Sequence, residues 1–567
     1  MAYKIADNIT SPIGLTTEEN YQAVKLGRSS LTHYDRRWGI PEPFTASIFS
    51  DAQNEALKTA QLTRFESLVA TSVKQALEET DLDAGDTRVV FILSTTKANI
   101  ELLGQTGTSA EMLHPGESAR RICEVLGINT KPIVVCNACI SGLAAIILAE
   151  RLLAQKVYDY AIVTGADVLN RFVISGFQSF KSMDANPCKP FDIERLGMNL
   201  GEAAATIILS AQAQGDGWTI GDGTIRNDAH HISTPSNKGE GAWRCLTPLL
   251  EETKAEELAV VNAHGTATMF MDQMESVAIE RAGLTGVEVN SYKGYYGHTL
   301  GAAGVLETIL TMRATDNHTI IGTRGFEELG VSGKIQVTAE NQPTDKHSFI
   351  KLISGFGGSN AAIIATREPK MPSIQTPKKW EKTHEVIITP TGVMTDGTPY
   401  PSEATGKALL TDIYRKEVGD YPKFFKMDML SRLGFIASEL LLKLEGKERF
   451  TDNGHRAVIL FNHSSSMQTD TQYLESIKDD DNYFPSPSLF VYTLPNIVTG
   501  EIAIRHHLHG ETSFYNLASR QEPLISQIQQ AALADTATRS LITGWIDYED
   551  EAHFCADMYI LETTPTP

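Results

Sequence analysis

PIVVCNACISGLAAIILAERLLAQ, residues 132–155, decides the architecture. The β-branched run 132–136 reads as a buried strand, and 142–155 carries apolar residues at helical spacing, so Cys139 falls in the turn between them. A strand-turn-helix of this kind sets the sulfur over a helix N-terminus, where the dipole and free N–H groups favour a thiolate. A thiolate attacks thioesters and becomes one in turn, so Cys139 is expected to be an acyl-carrying nucleophile. Cys136, within the strand, is read as packing.

Working outward, VVFIL (89–93), YAIVTG (160–165) and AATIILS (204–210) read as further buried strands, and 65–79 reads as an amphipathic helix. The fold class is therefore α/β, with helices covering mixed sheets over residues 1–367. Residues 368–385, rich in Pro and Lys, are expected to be a linker, and 386–567 a second, smaller α/β unit. That unit echoes the first. A helical stretch (426–446) precedes RAVILFNHSSS (456–466), as 65–79 precedes RVVFILSTT, which predicts an internal repeat with Ser519 at or near the place of Cys139.

Bulk properties exclude several classes. The 567 residues carry 49 Lys and Arg against 70 Asp and Glu, a net charge of −21 that argues against nucleic-acid or anionic-membrane binding. No apolar run approaches the roughly 20 residues that span a bilayer, and the first residues lack the pattern of a secretory signal. Cys123, Cys136, Cys139, Cys188, Cys245 and Cys555 show neither metal-ligand nor disulfide spacing, so a cytoplasmic protein without a metal is expected.

Three downstream motifs complete the chemistry. His264 lies in VNAHGTAT, where small residues admit a substrate arm and Thr266 and Thr268 offer it hydroxyls. His298 lies in GHTLGAAG; two neutral imidazoles aimed at one carbonyl oxygen would stabilise a developing enolate. Lys293 and Glu307 flank His298 and are expected to pair and orient it. Gly355-Phe356-Gly357-Gly358 can present N–H groups to an oxyanion, with Phe356 as an apolar gate beside the nucleophile.

In this combination and order the chain resembles the β-ketoacyl-acyl-carrier-protein synthases, condensing enzymes of the thiolase-like superfamily, over residues 1 to about 367. CKPFDIERLGMNLGEAA (188–204) and Asp272 and Glu275 after His264 match further family motifs. The resemblance implies a layered α-β-α-β-α fold. It also implies that Cys139 takes an acyl chain from an acyl carrier protein, and that the phosphopantetheine arm of a malonyl-carrier protein runs past Thr266 and Thr268. His264 and His298 would then stabilise the enolate formed on decarboxylation, and Lys293, Glu307 and Phe356 would support them. No metal or redox cofactor is implied, the phosphopantetheine being carried by the partner, and a homodimer, or a heterodimer with a synthase-like partner, is expected. Ala267 departs from the family's second glycine and Met269-Phe270-Met271 from its Pro-Leu-Gly.

Rival readings are weaker. A thiolase would want a second cysteine in the glycine loop, and GFGGSN has none; initiating synthases use Asn where His298 stands. The C-terminal unit resembles a degenerate first half of the same family without its cysteine. It is read as noncatalytic, by analogy with the chain-length-factor partners of aromatic polyketide synthases, which suggests a specialised polyene or polyketide pathway such as aryl-polyene or flexirubin-like pigments. The alternative is that the whole chain is a noncatalytic, chain-length-factor-like scaffold.

Overall fold

The computed structural model describes residues 1–214, 217–368, 379–479 and 483–563. Its first half begins with β1 (Ala2–Thr10), followed by α1 (Arg64–Leu77), β2 (Val89–Ser94), β3 (Ile133–Val135), α2 (Ser141–Ala154), β4 (Tyr160–Asp167) and β5 (Ala203–Ser210). Local sequence explains the borders. Thr63 caps α1 by accepting the Glu66 N–H, and Glu66 returns the bond to the Thr63 N–H. Every residue of β2 is buried, which is why that strand reads as a continuous apolar run rather than an alternating one.

The strands form one sheet in the order β1-β5-β4-β2-β3, antiparallel at the first two junctions and parallel at the last two. A second sheet contains β6 (Thr224–Asn227), β7 (Val260–Asn262), β8 (Glu288–Asn290), β9 (Ser348–Gly355) and β10 (Ser359–Thr366), in the order β8-β7-β9-β10-β6. Between the sheets lie α2 and α5 (Ala303–Asp316), each in contact with strands of both. Helix α1 covers the outer face of the first sheet, and α3 (Glu240–Glu252) with α4 (Met269–Arg281) covers the second. The five layers α-β-α-β-α are those expected.

The described residues of the second half copy the first sheet. This half comprises β11 (Trp380–Thr389), α6 (Met429–Glu445), β12 (Arg456–Asn462), α7 (Ile497–His506), β13 (Thr512–Asn516), α8 (Glu522–Leu533), β14 (Ser540–Tyr548) and β15 (Phe554–Thr563). Its strands run β13-β12-β14-β15-β11, parallel at the first two junctions and antiparallel at the last two. That is the order and sense of β3-β2-β4-β5-β1. The copy extends to detail: Asp167 accepts the Thr96 N–H and hydroxyl, and Asp547 accepts the Ser464 N–H and hydroxyl.

The two sheets are one. Edge strand β3 pairs antiparallel with edge strand β13, Val135 facing Tyr515 and Val134 facing Asn516, and Cys136 N–H donates to the Phe514 carbonyl at 3.0 Å. The extra half therefore packs on its own chain. Helix α8 lies on α2, and a single apolar core runs through both.

The linker expectation needs correction. Residues 369–378 lie outside the described residues, but the strand β11 begins at Trp380, inside the segment read as linker to 385, because WEKTHEVIIT pairs with β15. The repeat also refines Ser519. Ser94 faces Val135 and Asn462 faces Asn516, so the position equivalent to Cys139 is Arg520, one residue later, which is ion-paired to Glu522 and Asp557.

A buried ion pair joins the halves: Lys97, just after β2, meets Asp470 at 2.6 Å. Asp470→Ala would strand that ammonium and is expected to cost about 3–5 kcal/mol, whereas the double variant Lys97→Met/Asp470→Leu recovers most of it. Urea unfolding midpoints of the two variants check this.

Candidate active site

Cys139 sits on a 3-10 turn, 138–140, that runs from β3 into α2. Ala138 before it is held at φ +50, a left-handed conformation that a β-carbon disfavours by about 1–2 kcal/mol. The turn is compressed by its neighbours: a β-carbon on Gly355 would lie 3.2 Å from the Cys139 nitrogen, and one on Gly142 would lie 2.8 Å from the Gly301 carbonyl oxygen. The glycine loop after β9 and the loop carrying His298 thus both close on the nucleophile turn.

The thiol is 8% exposed. Burial pushes it up to about 12, against the Lys293 charge and the N–H groups of Cys139 and Phe356, which lower it. Burial opposes the thiolate that the helix N-terminus was expected to favour, and is the largest influence on the sulfur. The same two N–H groups are the natural donors to an oxygen anion formed beside the sulfur.

His264 follows β7 in a loop held by two buried carboxylates. Glu275 accepts the His264 and Gly265 N–H groups at 2.6 and 2.8 Å, and Asp272 accepts those of Thr266 and Ala267 at 2.9 and 3.1 Å. Burial raises Asp272 to about 6 and Glu275 to about 7. Ala267 adopts φ +64, the conformation that the family's glycine would take without strain.

His298 meets His264 edge to face, ring centroids 5.1 Å apart. Leu300, itself at φ +53, donates its N–H to His298 Nδ1 at 3.3 Å. A neutral imidazole that accepts at Nδ1 carries its proton on Nε2, and His298 Nε2 is buried without a partner, as is His264 Nδ1. Burial, with the Lys293 and Lys351 charges, holds both histidines well below 6.5. The pair is therefore uncharged, and His298 presents an unused donor.

Behind them lies a cluster that is only half legible in the sequence. Lys293 meets Glu307 Oε1 at 2.5 Å, as expected, while Lys351 on β9 meets Oε2 at 2.5 Å and also donates to the Ala263 carbonyl at 3.2 Å. Burial pushes Glu307 up, but the two ammonium groups outweigh it and keep the carboxyl below its ordinary value. One carboxylate thereby fastens the His264, His298 and Phe356 loops together. Lys351 carries no motif; a lysine inside the apolar run FIKLI was the available signal. Asp167 was also missed: it accepts the Gly301 N–H at 2.7 Å and ties the His298 loop to the ends of β2 and β4.

Thr266 and Thr268 hydroxyls lie 3.0 Å apart, on a path from buried His264 to exposed Met269 and Phe270. Phe356 stacks on Phe177 at 6.1 Å, close to Cys139 through its own N–H. The loops carrying Cys139, His298 and Phe356 thus close on one another, His264 meets His298, and Thr266 and Thr268 follow His264 in its loop.

Comparison with known proteins agrees. Residues 5–215 match the beta-ketoacyl synthase N-terminal domain and residues 219–327 its C-terminal domain. The 3-oxoacyl-[acyl-carrier-protein] synthase 2 of Rhizobium meliloti (strain 1021) is 33% identical over 254 residues, 41% of this chain and 60% of that protein. The protein of the same description from Vibrio cholerae serotype O1 is 26% identical over 408 residues, 63% of this chain and 96% of that one. A solved structure described as the PfaC keto synthase-chain length factor shares the fold over 99% of this chain and 78% of its own, with TM-score 0.80 at 14% identity. Nucleophile turn, paired histidines and matched domains lead to one assignment: the chain belongs to the β-ketoacyl synthase family.

Proposed function

We propose that this chain is a 3-oxoacyl-acyl-carrier-protein synthase, an acyltransferase that carries its own noncatalytic, chain-length-factor-like partner as its second half. The observation that carries the reading is His298, which accepts the Leu300 N–H at Nδ1, has its Nε2 buried without a partner and meets His264 edge to face.

In the first step the Cys139 sulfur attacks the thioester of an acyl-carrier protein. The Cys139 and Phe356 N–H groups receive the oxyanion, and the departing phosphopantetheine thiol takes up the proton that Cys139 releases. Malonyl-carrier protein then enters with its arm along Thr266 and Thr268. Carbon dioxide leaves, and His298 and His264 donate to the enolate oxygen. The enolate carbon attacks the Cys139 thioester, and expulsion of the sulfur, which regains a proton, yields a β-ketoacyl chain two carbons longer.

Neutral donors suit this task. They are ready before charge develops, and an already charged imidazolium would instead hold the malonyl carboxylate by ion pairing and oppose its loss. Arg520 at the equivalent position of the second half is no acyl nucleophile. The packing of that half on β3 supplies in one chain what a synthase partner would supply in another. The six free cysteines fit a reducing, cytoplasmic setting, and the net charge of −21 argues against a nucleic-acid partner. A polyene, polyketide or fatty-acid pathway would use this reaction.

Intact-protein mass spectrometry tests the reading. Incubation with acyl-carrier proteins should give an acyl adduct that is absent from Cys139→Ala and is discharged by malonyl-carrier protein as a chain two carbons longer. No adduct from any chain length would favour the scaffold alternative. His298→Ala should lower malonyl decarboxylation by about 10²–10³-fold, the loss typical of one preorganised donor.

The pH dependence has a definite sign. Both histidines titrate well below 6.5, so decarboxylation should stay flat through pH 6.5 and fall only in more acidic solution, where a proton on His298 Nδ1 displaces the Leu300 contact. Lys351→Met removes a cation that disfavours imidazolium and leaves Glu307 less neutralised. Both changes raise the histidines, so the acid limb of the rate profile should move to higher pH.

A further inference from the structure

The second half reaches the glycine loop with a buried polar side chain. Asn496, at the N-cap position of α7, is fully buried and donates its Nδ2–H to the Phe356 carbonyl at 2.9 Å. The next residues of α7 lie against the same loop. A β-carbon on Gly500 would fall 2.5 Å from the Gly357 carbonyl oxygen, and one on Gly357, which is at φ +90, would fall 2.8 Å from Asn496 Nδ2.

Gly357 is anchored by the first half, its N–H donating to the Ile232 carbonyl and its carbonyl accepting from Asn227, and the Ser359 hydroxyl meets that of Thr512 in the second half at 2.9 Å. The Phe356 carbonyl is held from the second half. The ring of Phe356 is backed from the same side at one remove. Phe490 packs on Phe177 and Phe180, the two rings against which Phe356 rests, and a β-carbon on Gly176 would collide with it at 2.1 Å.

Phe356 is thus gripped by its carbonyl on one side while its N–H faces the Cys139 sulfur on the other. We propose that Asn496 is a positioning residue: through it the noncatalytic half sets the Phe356 N–H and the gate for acyl transfer to Cys139. Fixing the Phe356 carbonyl restricts rotation about ψ of that residue, and with it the loop that begins at Gly355 beside the nucleophile nitrogen. A donor must lie at the place where oxyanion charge will develop, and misplacement by about 1 Å costs on the order of a hundredfold in rate. The second half then does more than fill the edge of a sheet; it completes the geometry of the first. This inference rests on the synthase reading above.

The test uses the full chain, with hexanoyl-pantetheine as acyl donor and iodoacetamide as a second probe of the same sulfur. Alkylation by iodoacetamide forms no oxyanion, so it reports nucleophile integrity without the Phe356 donor. In Asn496→Leu, acylation of Cys139 at saturating donor should fall by about 10–100-fold with the half-saturating concentration unchanged, while alkylation of Cys139 stays within about twofold of the parent protein. Asn496→Asp keeps the side-chain size and removes the donor, and should show the same split if the leucine variant does not fold. Undiminished acylation in a folded variant would overturn the inference, as would acylation and alkylation falling by the same factor. A parent protein that takes no hexanoyl group, yet is alkylated at Cys139, would overturn the synthase reading and this inference with it.

Discussion

The pairing of β3 with β13 is the constraint on which the molecule turns. A strand that ends at a nucleophile has to present that nucleophile while its own outer edge exposes unpaired N–H and C=O groups. Here the edge is closed by the chain itself. The Cys136 N–H, three residues before the nucleophile, finds its acceptor on Phe514. Asn137 then continues the contact, its side chain donating to the Thr512 carbonyl at 2.9 Å. The approach to Cys139 is therefore fixed by backbone from the second half, and an ion pair, Lys97 to Asp470, and a shared core hold that half in register.

Within this frame the site works by desolvation. Burial raises the thiol and lowers the imidazoles, which favours their uncharged forms, while formal charge is concentrated one layer back in Lys293, Glu307 and Lys351. Two ammonium groups around one carboxylate leave a positive residue of charge behind the histidines. That excess keeps protons off the imidazoles and favours negative charge placed beside them. An unpaired lysine at this depth would be expensive; the shared carboxylate, itself held below its ordinary value, makes two of them tenable.

Much of this was legible in the sequence. The nucleophile turn, both histidines, the Lys293–Glu307 pair and the glycine loop sit in short contiguous motifs, because each is built on one loop at the end of one strand. The repeat showed as a helix followed by a β-branched run in both halves. Lys351 and Asp167 were not seen, since each acts through space on a loop distant in the chain, and a single charged residue in a strand has no period to mark it. The opposition of burial to a thiolate was hidden for a related reason: a helix N-terminus can be read from a sequence, but the depth of burial around the sulfur cannot. The start of β11 was misjudged because Pro and Lys in the preceding segment masked a strand whose partner, β15, lies at the far end of the chain.

The repeat is informative for what it keeps and what it changes. The described residues of the second half duplicate the sheet that forms the β3 edge, and the copied strand β13 lies on that edge in antiparallel pairing. At the position equivalent to Cys139 the copy carries Arg520, a guanidinium tied to Glu522 and Asp557 that stabilises its own loop at the surface. Backbone pairing depends on strand order and register rather than on the side chain that follows the strand, so the pairing persists across a substitution that removes a thiol.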